Sequence, residues 1–282
     1  MLEKAKAADF RGRFREIVSD PLNLLIARNP QAGMVVGDEV VLHNGHRVPL
    51  RGELAYYDDF SDILIINRGV HEPLEEYAFQ QVLAQLPQAP NMLELGAYWA
   101  HYSMWLQQAC PKAQNHLVEP EEKCLAVGQA NFAKNGYTGR FTQAFVGQGQ
   151  FEVDAYLAEQ GLERLDILHS DIQGFEVEML DGAQKTLSEQ RADYLFISTH
   201  SQEIHAETMQ RLTGFGYRIE VAADFEHQTT SYDGFILGVA PKLPRVFPGA
   251  VPLGRGEITG ASPDILLDSL QNVRAKIGNT AV

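Results

Sequence analysis

The stretch that most limits how this chain can fold is NMLELGAYWAHYS, Asn91 to Ser103, followed about twenty residues on by NHLVEP, Asn115 to Pro120. The first piece is a short apolar run ending in Glu94 and Gly96, after which helical spacing begins at Trp99, Tyr102, Trp105 and Leu106. The second is another apolar run that closes on an acid, Glu119. Strand, glycine turn, helix and a second strand ending in a carboxylate make half of a nucleotide-binding site. Glycine admits a ligand close to the backbone, and the acid at the next strand end can accept both hydroxyls of a ribose.

The residues after Gly96 narrow the ligand. A pyrophosphate needs further glycines over the helix N-terminus, whereas Ala97, Tyr98, Trp99 and Ala100 follow here. Two large aromatics obstruct a pyrophosphate, and the turn carries no positive charge. A ligand with a ribose and no phosphate fits better, and S-adenosylmethionine is the common one. The competing reading makes Glu94, Gly96 and Glu119 ordinary strand ends of an α/β protein.

A net charge of −14 argues against nucleic acid, which calls for clustered Lys and Arg. Arg11, Arg13 and Arg15 read instead as the solvated face of a helix. No apolar run approaches the roughly eighteen residues of a membrane span, and the N-terminus lacks a signal-type apolar core. Cys110 and Cys124 show no metal or disulfide spacing, which points to reduced thiols and a cytoplasmic protein. At 282 residues with 45% hydrophobic side chains, there is room for one α/β domain and an extension.

Three regions follow. Residues 1–72 read as a helix and then β-type segments around VVGDEVVLHNG and DILIINRG, an extension that can cap an acceptor site. Residues 73–240 alternate strands and helices in the manner of a doubly wound sheet. Strands are expected at Met92–Leu95, His116–Glu119, Phe141–Phe145, Leu165–His169 and Tyr194–Ser198. Tyr217–Val221 and Phe235–Val239 then follow with no helix between them, which predicts a final antiparallel hairpin. Seven mostly parallel strands closed by a reversed hairpin favour the class I methyltransferase variant of the Rossmann-like fold over the dehydrogenase variant. Residues 241–282 are proline-rich and end in a helix with Ser262 as N-cap and Pro263 at its first position.

LDILHSDIQGFEVEMLDGAQKTL, Leu165 to Leu187, resembles the signature of the FkbM family of S-adenosylmethionine-dependent methyltransferases. The ELGAYWAHYS and LVEP segments lie at the matching distances before it, so the resemblance covers roughly Glu72 to Ala240 on three ordered motifs. Two departures stand out: Ala100 where many members have a second glycine, and Asp171-Ile-Gln173 where many have Asp-Val-Glu. The resemblance implies O-methylation of a hydroxyl, often on a sugar or polyketide-type product, with S-adenosylmethionine as cofactor. The acceptor is then a small molecule or glycan.

The chemistry can be placed on residues independently. Methyl transfer is an in-line displacement, so an acceptor oxygen must be aligned and relieved of its proton. Groups for this sit at the carboxyl ends of the strands, where Asp171 and His200 fall. His200 has the unperturbed pKa of a base near neutrality, against the plainer reading that it caps the next helix. Asp171 can orient it or hold the methionyl amine. The cofactor site is expected to comprise Glu94, Gly96, Tyr98, Ser103, Glu119, Val146 and Asp171, and the acceptor site Gln173, Thr230 and Asp233. Tyr98 and Trp99 either wall the methionine pocket or pack beneath the helix. Tyr56, Tyr57 and Phe60 are placed in the core of the extension in preference to an acceptor cleft. Glu176 reads as a helix-opening acid, with a cleft role as its alternative. His169, Asp171, His200, His205 and Asp233 include enough donors for a divalent ion, but His200 and His205 are five apart and miss one helical face. No metal is therefore expected. A non-catalytic nucleoside-binding protein of the same fold remains an alternative, as does a nicotinamide-dependent oxidoreductase, which the missing glycines disfavour.

Overall fold

The computed structural model describes residues 10–56, 61–147, 149–229, 233–249 and 251–280. Its centre is a seven-stranded sheet in the order β6-β5-β4-β7-β8-β10-β9. The strands are β4 (Asn91–Leu95), β5 (Gln114–Glu119), β6 (Arg140–Gln143), β7 (Leu165–Ser170), β8 (Ala192–Thr199), β9 (Arg218–Ala223) and β10 (Gly234–Val239). β4 to β8 run parallel, and β10 lies antiparallel between β8 and β9. This is the mostly parallel α/β sheet with a reversed hairpin that the strand spacing predicts. The strand order reverses at β4, and open α/β sheets place ligands beyond the carboxyl ends of the strands at such a switch point, here between β4 and β7.

β7, β8 and β10 are buried along their whole length, as expected for strands covered on both faces. Successive residues serve opposite cores. Leu93, Leu95, Leu168, Leu195 and Ile197 pack on one side, while Met92, Ile167, Tyr194 and Phe196 pack on the other. The second face is covered by α3 (Pro73–Leu83) and α4 (His101–Ala109). On that face the register sets Glu94 beside His169 and His169 beside Phe196, so a polar pair lies in an apolar layer. His169 Nε2 donates to Glu75 Oε1 at 2.7 Å and Ser198 Oγ to Glu75 Oε2 at 3.0 Å. Those partners make the burial of these groups tolerable.

The N-terminal region contains α1 (Phe10–Ser19), a small antiparallel sheet of β1 (Val35–Val36), β2 (Glu39–Val41) and β3 (Arg47–Pro49), and α2 (Asp62–Ile66). DILII is thus helical, where a β-type segment was expected. A five-residue apolar run has no diagnostic period. Asp62 in its first turn and the left-handed Arg68 and Gly69 after it are helix boundaries. β6 stops at Gln143, two residues before the expected end, and Val146 instead makes an isolated bridge with Phe151.

α5 (Glu122–Lys134) starts two residues after Pro120 and is followed by left-handed Gly136. α6 (Val153–Gln160), α7 (Glu176–Asp181), α8 (Gln184–Ser188) and α9 (Gln202–Gly214) complete the alternation. Beyond residue 240 an unexpected short helix, α10 (Arg255–Gly260), precedes the expected α11 (Pro263–Thr280). Cys110 and Cys124 are free thiols. Among the described residues no helix is long and apolar enough to cross a membrane.

Candidate active site

The turn after β4 has unusual backbone. Gly96, Tyr98 and Ala100 have φ of 73°, 36° and 62°, the left-handed region that disfavours side chains. The Gly96 and Ala97 amides both donate to Val118 O, at 2.9 and 3.0 Å. A Cβ on Gly96 would overlap the carbonyl oxygen of Asp171, so only glycine lets the β4 and β7 exits lie together.

Glu119 ends β5 beside this turn. Its Oε2 accepts from the Tyr98 amide and its Oε1 from the Glu121 amide, both at 3.1 Å. Each oxygen keeps a further lone pair, so the carboxylate is fixed without being used up. Burial raises its pKa against those two amides, with Asp171 adding repulsion. Glu119 thus lies beside the turn, and Asp171 meets that turn at Gly96 from the end of β7. Glu94 and Ser103 lie elsewhere: Glu94 Oε2 accepts from the Ser103 amide at 3.2 Å and from its hydroxyl. Both are buried, and they tether the first turn of α4 to β4. The Tyr98 hydroxyl donates to the carbonyls of Ala55 and Tyr56, while Trp99 stacks on Tyr56 at 4.3 Å. Of the two readings for these aromatics, the structure shows packing, against the N-terminal region. Tyr57 and Phe60 lie outside the described residues.

At the next strand ends four residues converge on His200. Its Nδ1 donates to Glu176 Oε1 at 2.6 Å, and its Nε2 lies 2.8 Å from Asp233 Oδ1, 3.2 Å from Asp171 Oδ1 and 2.8 Å from Gln173 Nε2. Antiparallel pairing explains Asp233: Gly234 is in register with Thr199, so the residue before β10 meets the residue after β8. Thr230 lies outside the described residues.

Burial opposes charge on His200, but Asp233, Asp171 and Glu176 outweigh it and push its pKa up to about 12. These carboxylates favour the imidazolium form of His200 over the neutral base that its residue type suggests. Asp171 is displaced the other way: burial raises it, and the hydrogen bond and charge of His200 carry it below its ordinary value.

Glu72 is the neighbour that sequence reasoning missed. It is raised well above the usual carboxylate range by burial, then by the charges of Glu75, Asp171, Asp233 and Glu76. The Tyr102 hydroxyl donates to its Oε2 at 3.1 Å. Its place directly before Pro73, the first residue of α3, was the available signal, since a residue ahead of an N1 proline stands outside the helix. Glu176 belongs to the cluster as well as opening α7.

Asp171, His200 and Asp233 each present a possible ligand atom for an ion. Of the other two donors considered with them, His169 is bonded to Glu75 and His205 Nδ1 lies 2.9 Å from Thr199 Oγ1.

The family model described as the methyltransferase FkbM domain matches residues 72–219, a little over half of the chain. A catechol O-methyltransferase of Niastella koreensis is 34% identical over 94 residues, which are 33% of this chain and 42% of that protein. The match thus spans well under half of that relative's length. Among solved structures, the precorrin-6y C5,15-methyltransferase of Geobacter metallireducens superposes with a TM-score of 0.44 at 15% identity, over 59% of this chain and 86% of that one. An O-methyltransferase of Bacillus cereus in complex with S-adenosylhomocysteine gives 0.43 at 15% identity, over 61% and 82%.

Proposed function

The chain belongs to the FkbM methyltransferase family, and from that premise we propose that it methylates a hydroxyl of a small acceptor, of sugar or secondary-metabolite type, from S-adenosylmethionine. The observation that carries this reading is the meeting of Asp171, His200 and Asp233 at the carboxyl edge of the sheet, beside the Gly96 turn and Glu119. The cofactor has a ribose diol, an ammonium and a sulfonium. The cleft offers carboxylates to a diol and to cations, beside a Gly96 turn packed directly on the Asp171 carbonyl. These features fit. Glu119 would hold the ribose hydroxyls and Asp171 the methionyl amine.

When bound, the cofactor supplies an electrophilic methyl and leaves as the thioether. This chain's residues must then align the acceptor oxygen and take its proton as the oxygen–carbon bond forms. His200 is already protonated, so in this reading it holds Asp171 and Asp233 in place and sets the field of the cleft. We assign the proton to Glu72, a buried carboxylate near Asp171 and Asp233 whose surroundings favour its proton-bound form. The surplus of acids over bases suits a neutral hydroxyl acceptor better than an anionic one.

Two variants test the assignment. Glu119→Ala removes a charge-assisted pair worth about 1.5–3 kcal/mol, so calorimetry should show S-adenosylhomocysteine bound roughly tenfold or more weakly. Glu72→Gln should bind it normally and turn over about 10²–10⁴-fold more slowly, once an acceptor is found by screening sugar and glycoside hydroxyls. Unchanged affinity in the first variant removes Glu119 from the cofactor site; unchanged turnover in the second removes Glu72 as base.

A further inference from the structure

A second cluster lies away from the strand ends, between the N-terminal region and the sheet. His43 comes from the turn between β2 and β3, Glu76 from α3, and His101 is the first residue of α4. All three are at most 1% exposed. His43 Nε2 is 3.0 Å and His101 Nε2 4.0 Å from the same atom, Glu76 Oε2. His43 Nε2 thus pairs with the carboxylate, but His101 Nε2 and the Nδ1 atoms of both rings have no hydrogen-bond partner. Buried polar side chains almost always find partners. His101, buried with both ring nitrogens unpaired and its Nε2 4.0 Å from a carboxylate oxygen that a second histidine already faces, needs an explanation.

We propose that His43, Glu76 and His101 bind a divalent transition-metal ion of the zinc class, which pins the N-terminal region to the methyltransferase fold. Two imidazoles and a carboxylate are a ligand set for such ions. Bonds of about 2.0–2.1 Å require donor atoms roughly 3.3 Å apart. The three donors already lie within 4.8 Å of one another, so a small inward shift of His101 closes the cage.

The surroundings are built to aim the carboxylate. Glu76 Oε1 accepts from the amides of His71 and Glu72 at 2.8 and 3.0 Å, and His71 Nδ1 stands 2.7 Å from it. This leaves Oε2 turned toward the two histidines, the outer-shell arrangement that orients metal ligands. His101 stacks on Trp99 at 4.9 Å and His43 meets the Trp105 ring edge-on at 4.3 Å, which shields the position from water. Arg28 directs its two terminal nitrogens to Asn23 and the Ile26 carbonyl, and its charge acts on Glu76 without a hydrogen bond between them. Since His101 begins the helix that follows the Gly96 turn, the ion would brace the cofactor turn from behind. Its binding depends neither on the acceptor nor on the proposed chemistry.

The test uses the full chain, stripped with a chelator and titrated with zinc or cobalt alone. One equivalent should bind, and zinc should raise the melting temperature of the wild type. Cobalt should give the visible absorption of a low-coordinate imidazole site. His101→Ala and Glu76→Gln should lose the zinc-induced shift and bind at least tenfold more weakly, while His200→Ala keeps both. If the first two variants do not fold, the cobalt spectrum of the wild type and of His200→Ala decides. No stoichiometric uptake overturns the proposal, as does uptake that survives His101→Ala or is lost in His200→Ala.

Discussion

Gly96 shows how a single missing Cβ holds a site together. Its φ of 73° and its contact with the Asp171 carbonyl impose separate costs on a side chain. A left-handed conformation costs an L-residue about 1–2 kcal/mol, and overpacking against rigid backbone about 1–3 kcal/mol more. Gly136 has nearly the same φ, 76°, but nothing lies within 4 Å of where its Cβ would stand. Gly136→Ala should therefore lose only the first contribution. Gly96→Ala should lose about 2–5 kcal/mol and most of its affinity for S-adenosylhomocysteine. Urea unfolding of the pair measures the difference, and equal losses would mean that the contact with Asp171 is immaterial. Ala100, at φ 62°, is the contrasting case. Glycine there would relieve the same strain, but would lose a buried methyl worth about 0.8 kcal/mol and about 0.5–1 kcal/mol of chain entropy. The two sides nearly cancel, so alanine can stand where glycine is usual.

Among the elements, α10 is the one whose attachment depends on protonation. Asp20 caps the turn after α1 through the Leu22 amide at 2.9 Å and accepts from the Arg255 amide, the first of α10, at 2.8 Å. Burial raises the Asp20 carboxyl to about 6 against those two amides, and burial likewise raises Glu257, on α10, to about 7. A carboxyl whose folded pKa exceeds its unfolded one contributes fully below the unfolded value, 3.8 for Asp20, and loses that contribution as pH rises through about 6. A shift of this size is worth roughly 3 kcal/mol. Between about pH 4.5 and pH 8, wild-type stability should fall by roughly 2–3 kcal/mol relative to Asp20→Asn, read from denaturant midpoints. Parallel pH profiles would show that Asp20 does not govern the docking. Neither α10 nor this contact was legible, because a proline-rich stretch hides a six-residue helix whose support comes from the far end of the chain. DILII resists reading because propensity cannot decide five apolar residues. The sheet was legible because β7, β8 and β10 are wholly buried runs, and the final hairpin because no helix lies between Val221 and Phe235; that it sets Asp233 against His200 was not read from the sequence. What remained hidden at the site was electrostatic. Three acids, from the end of β7, from α7 and from the β10 hairpin, gather around one histidine and favour its charged form.

For the whole molecule, the question is whether the N-terminal region is a separate cap or part of one core. Ile17, Val40, Leu42, Val48, Ile63 and Leu64 share an apolar cluster with Ala97, Trp99, Ala100, Met104, Leu117 and Phe132. The first group comes from the N-terminal region, and the second includes the turn after β4 and the strand and helices beside it. Side chains that shelter each other across a boundary cannot unfold separately without exposing both halves. A boundary drawn at residue 72 therefore separates motifs, not cooperative units. Far-UV circular dichroism, which follows the sheet, and the fluorescence of Trp99, which sits against Tyr56, should report a single coincident transition. Leu42→Ala empties a fully buried position in the N-terminal region and should cost about 2–5 kcal/mol. Both probes should move together by that amount. If the fluorescence transition shifts while the circular dichroism midpoint stays in place, the N-terminal region is an independent unit and its hold on the turn after β4 is incidental.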